Sequence, residues 1–236
     1  MERQREGATK SEVSIDVEGA TLQGTLFIPK GASGLVLFAH GSGSSRHSPR
    51  NRYVAQMLNS RGIATLLFDL LTHREESIDQ YTGKLRFDIA FLAKRLVDAT
   101  RWITGNPGTS DFRLGYFGAS TGAGAALVAA SQMPDIISAV VSRGGRPDLA
   151  QGALGAVRAP TLLIVGGDDE PVIGMNREAL AKLKCPEKKL VIVPGATHLF
   201  EEPGTLEEVA RLAAEWFSRH LARPNPTRAQ AAKGRE

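Results

Sequence analysis

The stretch 112–132, FRLGYFGASTGAGAALVAASQ, constrains the fold of this chain more than any other segment. It starts as an apolar, aromatic-rich run that is typical of a buried strand, and it ends as an alanine-rich run that favours a helix. Between the two lies G-x-S-x-G at 118–122. The sequence therefore predicts a strand, a sharp turn and a helix, with Ser120 at the apex of the turn.

The spacing of this motif has a steric reason. A serine on so tight a turn must adopt strained backbone angles, and the small Gly118 and Gly122 let the strand and the helix approach closely. The first N–H groups of the helix, above all that of Thr121, have no partner inside the helix and point towards whatever Ser120 attacks. One turn thus provides a nucleophile and one donor of an oxyanion hole.

Two other interpretations compete with this one: an ordinary glycine-rich junction, and a loop that binds a dinucleotide or a phosphate. Neither G-x-G-x-x-G nor G-x-x-x-x-G-K-[ST] fits the stretch. A lone G-x-S-x-G is common by chance, so the interpretation needs support from other parts of the chain.

The length of 236 residues suits one large α/β domain or, less easily, two small ones. We expect that domain to span residues 13–222, with a flexible segment at 1–12 and a flexible basic tail at 223–236. The net charge of +4 comes partly from those ends. The chain has no basic stripe interleaved with aromatic residues, so we expect no nucleic-acid partner. With one cysteine, Cys185, and no apolar run long enough for a membrane span, we expect a cytoplasmic protein that does not bind membranes.

The remaining pattern predicts an antiparallel hairpin followed by alternating strands and helices. The predicted strands are 13–17, 21–28, 35–39, 63–67, 112–118, 136–141, 161–165 and 189–193, and the predicted helices after the hairpin are 52–61, 85–103, the helix after the motif, 175–184 and 206–221. The segment 70–83 is polar and is interpreted as irregular. This order indicates a doubly wound, mostly parallel sheet of about eight strands flanked by helices, with the ligand at the carboxyl ends of the strands.

Three chemically complementary residues follow three of these strands: Ser120, Asp169 and His198. Serine is a weak nucleophile at neutral pH, histidine can take its proton near pH 7, and a carboxylate fixes the tautomer of the histidine. The chain order Ser, Asp, His, with each residue directly after a strand, is that of the α/β-hydrolase fold.

Several longer motifs extend this likeness over most of the chain. They are HGSGSSRHSPRN, FDLLT, GYFGASTGAGAAL, VVSRGGRPDLA, LLIVGGDDEPV and HLFEEPG. In these motifs the sequence resembles the dienelactone hydrolase branch of the α/β hydrolases. Dienelactone hydrolases proper carry cysteine at the turn, whereas this chain has Ser120, which favours ordinary ester chemistry.

The resemblance also bears on the other site residues. It places the acid in a G-x-x-D-x-x-V frame, which favours Asp169 over its neighbour Asp168, and it implies the backbone N–H of Ser42 as the second oxyanion donor beside that of Thr121. We expect His40 to hold the loop after the third strand by hydrogen bonds.

Arginines near the predicted site could orient an anionic substrate: Arg46, Arg143 and Arg146, with Arg50 beside them. The competing interpretation is that they are solvated or paired with glutamates. No group of His, Cys and carboxylate residues has the spacing of metal ligands, so we expect neither a metal nor another cofactor.

The segment between the sixth and seventh strands, where many α/β hydrolases carry a lid, has only about fifteen residues, close to the usual limit of a short connection. We therefore expect an open, lidless site that cleaves a small ester, lactone or thioester. Two alternatives remain: a binding protein on a hydrolase scaffold, and an acyltransferase or peptidase that uses the same three residues. The sequence leaves the substrate and the oligomeric state open.

Overall fold

A computed structural model describes residues 7–222 of the chain. Its centre is one eight-stranded sheet in the order β1-β2-β4-β3-β5-β6-β7-β8, which confirms the predicted fold class. The strands are β1 (Thr9–Val17), β2 (Ala20–Ile28), β3 (Gly34–Ala39), β4 (Ala64–Phe68), β5 (Arg113–Ala119), β6 (Ile137–Arg143), β7 (Thr161–Gly166) and β8 (Lys188–Val193).

The hairpin of β1 and β2 is antiparallel, and β2 also pairs antiparallel with β4. Every other pairing is parallel, so β3, β5, β6, β7 and β8 end at the same rim of the sheet. The first strand begins earlier than the predicted 13–17, at Thr9, which pairs with Ile28. The residues 1–6 and the predicted tail 223–236 lie outside the described part of the chain.

Helices cover both faces of the sheet. They are α1 (Pro49–Ser60), α2 (His73–Thr82), α3 (Ile89–Gly105), α4 (Thr121–Gln132), α5 (Glu170–Lys182) and α6 (Thr205–Leu221). One apolar core joins α3 and α4 to one face of the sheet, and a second joins α1 and α6 to the other face. Because β3 and β7 are buried on both sides, their sequences are nearly continuous apolar runs rather than alternating ones.

The helix α2 corrects the sequence interpretation of 70–83 as irregular. Thr72 and Glu75 form a capping box at its start, and Gly83 ends it in the left-handed conformation. Its one buried side chain is the charged Asp79, so the segment lacks the apolar periodicity that identified the other helices. The T-x-x-E spacing was the signal that could have revealed it.

The connection between β6 and β7 contains only a ten-residue 3₁₀ segment, Pro147–Ala156, as its short length implied. No helix among residues 7–222 is long and apolar enough to cross a membrane.

Candidate active site

The turn after β5 has the strained geometry that its sequence predicts. Ser120 lies between β5 and α4 with φ 51° and ψ −122°, outside the regions that a non-glycine residue normally occupies. A Cβ atom on Gly122 would lie 2.3 Å from the carbonyl oxygen of Ala39, and one on Gly118 would lie 2.4 Å from the Cα atom of Ala123. Only glycine fits at these two positions, and the Ser120 side chain makes no capping hydrogen bond to α4.

The side chains of Ser120, His198 and Asp169 form a continuous hydrogen-bonded row. Nε2 of His198 lies 3.3 Å from Oγ of Ser120, and Nδ1 lies 2.7 Å from Oδ2 of Asp169. The side chain of Asp169 is 13% exposed, whereas Asp168 is exposed. The structure therefore brings together the three residues predicted from the sequence, with Asp169 rather than its neighbour next to the imidazole.

Backbone hydrogen bonds join the loops that carry the acid and the histidine. The N–H of Gly167 donates to the carbonyl of Val193 at 2.8 Å, and that of Asp168 donates to the carbonyl of Ala196 at 3.0 Å. These bonds fix the end of β7 against the end of β8. Main-chain contacts therefore help to set the relative position of Asp169 and His198.

Glu202 holds the histidine loop from its outer side. Its carboxylate accepts hydrogen bonds from the hydroxyl of Thr197 at 2.6 Å and from the N–H of Thr197 at 3.1 Å. The hydroxyl of Thr197, together with nearby backbone N–H groups, lowers the pKa of the Glu202 carboxyl below its ordinary value. Phe200 closes the same loop with φ 58° and a buried ring.

His40 holds the loop after β3, as expected. Its Nε2 atom accepts the N–H of Leu70 at 3.1 Å, which leaves Nδ1 to donate to the carbonyl of Gly41 at 3.0 Å. This pattern specifies the neutral imidazole with its proton on Nδ1. Burial lowers the pKa of His40 in spite of the nearby Asp69 and Glu76, so the neutral form is favoured.

The two residues predicted to form the oxyanion hole lie next to each other, but one of their N–H groups is already engaged. The N–H of Ser42 donates to Oγ1 of Thr121 at 2.9 Å. Sequence reasoning expected this N–H to be free for a ligand, and it gave the side chain of Thr121 no part. A hydroxyl group thus accepts the N–H of one of the two predicted backbone donors.

Carboxylates accompany two of the three arginines predicted to bind substrate. The guanidinium of Arg46 donates to Asp69, and that of Arg146 donates to both carboxylate oxygens of Asp148 at 2.9 and 2.8 Å. Ion pairs of this kind leave little net charge for a ligand.

Arg143, the last residue of β6, lies in a different environment. It is 4% exposed, and it forms no ion pair with any residue of the described range 7–222. Nη2 donates to the Asn51 side chain at 3.3 Å, Nε is buried without a partner, and the guanidinium lies 5.9 Å from the ring centre of Phe200. Burial, with a smaller contribution from Arg50, lowers the pKa of Arg143 to about 10.

A cleft of about 840 Å³ borders the site at Ser42 and extends along the loops after β3 and β4. Most of the residues that line it are polar or charged, among them Ser42, Arg46, His47, Arg50, Asp69 and His73. Among residues 7–222, no three His, Cys, Asp or Glu side chains are grouped in a way that could hold a metal ion.

Sequence reasoning missed three contributors to this region: Asn51, which contacts Arg143, and the buried pair of Asp79 and Arg86. Asn51 sits in the first turn of α1, where nothing in the sequence distinguishes it from a solvated residue. Asp79 and Arg86 were hidden because the helix that carries the aspartate was not predicted.

The comparison with known families gives a direct result. The sequence profile described as the dienelactone hydrolase family matches residues 22–222, which is most of the chain. The chain belongs to the dienelactone hydrolase family. It is therefore an α/β hydrolase in family and in fold, and the sequence resemblance is confirmed.

Similar proteins are consistent with this membership. A solved structure named dienelactone hydrolase from Anabaena variabilis is 61% identical, with a TM-score of 0.90, over 92% of this chain and 100% of that one. The esterase Est1E from Butyrivibrio proteoclasticus matches with a TM-score of 0.75 over 90% of this chain and 99% of that one. At 19% identity this likeness shows the fold alone.

A Mycobacterium tuberculosis protein is 56% identical over 218 residues, which is 92% of this chain and 48% of that protein. Its name provisionally describes a phosphoribosyl transferase. This member of the dienelactone hydrolase family thus spans about half the length of the curated relative that it matches.

Proposed function

We propose that this protein is a serine hydrolase that cleaves a small carboxylic ester, lactone or thioester through an acyl-enzyme on Ser120. The observation that carries the proposal is the row from Oγ of Ser120 through the imidazole of His198 to the carboxylate of Asp169, at 3.3 and 2.7 Å. Membership of a hydrolase family supports the reaction class.

In the first half of the reaction, Oγ of Ser120 attacks the carbonyl carbon while Nε2 of His198 takes its proton. Asp169 accepts the N–H at Nδ1, which holds the ring in the required tautomer and stabilises the imidazolium. The separation of 3.3 Å between Nε2 and Oγ is at the long end for proton transfer, and such contacts commonly tighten when the substrate binds.

The tetrahedral intermediate carries a negative charge on the former carbonyl oxygen, which hydrogen-bond donors at the start of α4, next to Ser120, stabilise. When the intermediate collapses, the leaving alcohol or thiol takes the proton from His198. A water molecule then gives a proton to the same imidazole and attacks the acyl group, so that the acid is released and Ser120 is regenerated.

The surroundings of the site favour a polar and preferably anionic substrate. Most residues that line the cleft next to Ser42 carry hydroxyl, imidazole or charged groups, which gives a hydrophilic substrate several hydrogen-bonding partners. Of the arginines Arg46, Arg143 and Arg146, we assign substrate recognition first to Arg143, because a buried guanidinium without a carboxylate partner favours a ligand that brings negative charge.

A phosphoribosyl transfer activity is not proposed. The name of the mycobacterial relative belongs to a whole protein of which this chain covers 48%. The residues brought together here form a nucleophile, base and acid, and the glycine-rich turn at Ser120 has the geometry of a nucleophile rather than of a phosphate loop.

The test is to incubate the protein with a fluorophosphonate probe and to measure hydrolysis of short esters, lactones and thioesters. We expect labelling at Ser120, and Ser120→Ala should lower kcat by about four decades or more without loss of the fold. Ser131→Ala, at the far end of the same helix, is the matched control and should leave both readouts unchanged. A folded Ser120→Ala variant that keeps most of its activity would refute the proposal.

A further inference from the structure

Thr121 is a buried residue whose hydroxyl group accepts a hydrogen bond but donates none to any described residue. The residue is 4% exposed, and its Oγ1 atom accepts the N–H of Ser42 at 2.9 Å. A hydroxyl carries one O–H donor as well as its lone pairs. Among residues 7–222 we find no group that accepts a hydrogen bond from this O–H. A buried donor without an acceptor costs free energy, and a ligand that accepts its hydrogen bond would remove this cost.

The position of this hydroxyl identifies the ligand group. Thr121 directly follows the candidate nucleophile and opens α4, so its own backbone N–H is unpaired within the helix. Its Oγ1 atom therefore belongs to the same residue as one of the two predicted backbone donors and contacts the other, the N–H of Ser42. A third donor at this point would face the same oxygen.

We propose that Thr121 is a catalytic residue whose hydroxyl group donates a hydrogen bond to the oxyanion while it accepts the N–H of Ser42. This inference rests on the proposed function, because it concerns the intermediate formed on Ser120. The hydrogen bond from Ser42 polarises the hydroxyl group and so strengthens the hydrogen bond that this group donates to the oxyanion. No proton is transferred to that oxygen. When the carbonyl re-forms, its oxygen loses the charge and the hydrogen bond weakens.

This relay, from the N–H of Ser42 through the hydroxyl of Thr121 to the oxyanion, avoids an energetic cost. The simpler arrangement, in which the N–H of Ser42 itself binds the oxyanion, carries that cost. If the N–H of Ser42 turned to the oxyanion, its hydrogen bond to Thr121 would first have to break, and the free energy of that bond would be lost. In the relay both hydrogen bonds exist at once and polarise each other, and the one that reaches the charged oxygen is of the stronger, charge-assisted kind. The donors are in place before the charge develops, which is the condition for effective stabilisation.

The deciding variant is Thr121→Val, which keeps the shape of the side chain and removes the hydroxyl. We expect kcat to fall by about 100-fold with KM nearly unchanged, as for the loss of one oxyanion donor, and Thr121→Ser to recover at least about tenfold of that loss. The inhibition constant of a trifluoromethyl ketone analogue, which forms a tetrahedral adduct, should rise by a factor similar to the fall in kcat/KM.

The opposite results overturn the inference. Valine frees the N–H of Ser42, so a variant as active as the parent protein would mean that this N–H alone is the second donor. Lower activity with an unchanged inhibition constant for the ketone would mean that the hydroxyl has a merely structural role. If Thr121→Val does not fold, Thr121→Ala is measured in the same way.

A control variant separates these effects from general damage to the core. Thr161→Val removes another buried threonine hydroxyl, at the far end of β7, and should leave kcat unchanged. The inference and the proposed function also fail differently. Retained activity in Ser120→Ala refutes the function, whereas an inactive Ser120→Ala beside an unimpaired Thr121→Val refutes only the role of the hydroxyl.

Discussion

The two sides of the candidate site are built in different ways. The loop side, which comprises residues 40–48 and 69–86, is held by charged and polar side chains. Arg46 meets Asp69 there, and Arg86 meets the buried Asp79. Each of these largely buried arginines has a carboxylate partner, so the loop side neutralises its own charges.

The nucleophile side, which comprises the ends of β5 to β8, is held mainly by its backbone. The strained turn at Ser120 and the hydrogen bonds between the loops of Asp169 and His198 fix its geometry. Its one largely buried arginine, Arg143, has no carboxylate partner among the described residues. The difference is that the loop side pairs its largely buried arginines with carboxylates, whereas the nucleophile side leaves the charge of Arg143 unpaired among the described residues.

The largest effect expected on the nucleophile side is that of Asp169→Asn. The amide can hold the imidazole in the wrong tautomer, so kcat should fall by about four decades while the fold survives. Steady-state kinetics on a short ester, with unfolding measured in parallel, checks this expectation. Asp168→Asn changes the exposed neighbour and should keep normal activity; equal losses in both variants would contradict the assignment of the acid.

Arg143→Met tests the unpaired charge of the Arg143 guanidinium. Methionine fills similar space without the guanidinium, so kcat/KM for an ester that carries a carboxylate should fall by about 30-fold, the order of a charge-assisted hydrogen bond in a buried site. For a neutral ester of the same size the loss should be less than about threefold. The comparison of the two substrates is the measurement.

The matched control for Arg143 is Arg146→Met, which removes an arginine that is already paired with Asp148. This variant should affect the two esters alike. An equal fall for charged and neutral esters in Arg143→Met would mean that the arginine acts only on the structure, through Asn51 and the ring of Phe200.

The two sides also differ in how far the sequence predicted them. On the nucleophile side, the constraints lie in short local patterns: a serine between two glycines, and Asp169 and His198 each directly after an apolar strand. Such patterns follow from steric limits and from the topology of a parallel sheet, and they led to the correct fold and to the three residues that the structure brings together.

On the loop side the same reasoning identified the role of His40 but missed most other contacts, because these join residues far apart in the sequence. The ion pair of Arg46 with Asp69 and the hydrogen bond from Ser42 to Thr121 have no local signature. The helix α2 buries only Asp79, so hydrophobic periodicity could not reveal it. The lack of a partner for Arg143 is likewise a property of three-dimensional packing.

Arg86→Met examines how the loop side keeps its shape. The Asp79 carboxylate accepts the Nε–H of Arg86 at 2.7 Å and the backbone N–H groups of Leu85 and Arg86. Without the guanidinium, a buried charge loses its partner, and we expect the free energy of unfolding to fall by about 3 kcal/mol. Because Arg86 also reaches towards Gly43 in the loop after β3, kcat should fall too, by about tenfold or less.

Urea unfolding and kinetics of Arg86→Met answer this question together. Arg101→Met, which removes an exposed arginine of α3 paired with Asp98, is the control and should change stability by less than about 0.5 kcal/mol. An Arg86→Met variant as stable as the parent protein would mean that the backbone N–H groups suffice to hold Asp79.

The smallest effect concerns His40 and pH. Its folded pKa lies below the unfolded value of about 6.5, chiefly because of burial. As the pH falls below about 6.5, the unfolded chain binds a proton that the folded protein still excludes, so stability decreases until the pH reaches the folded pKa and is then constant. Above pH 7 both states are neutral and His40 adds no pH dependence.

The experiment compares urea unfolding of the parent protein and His40→Gln at pH 7.5 and 5.5. Glutamine can still accept the N–H of Leu70 but does not titrate, so the parent protein should lose up to about 1 kcal/mol more than the variant over this range. Every other histidine and carboxylate, including Asp69 and Glu76 beside the ring, is the same in both proteins and cancels in the difference. An identical pH dependence in the two would mean that protonated His40 is accommodated, and that the loop side keeps its shape without a neutral imidazole.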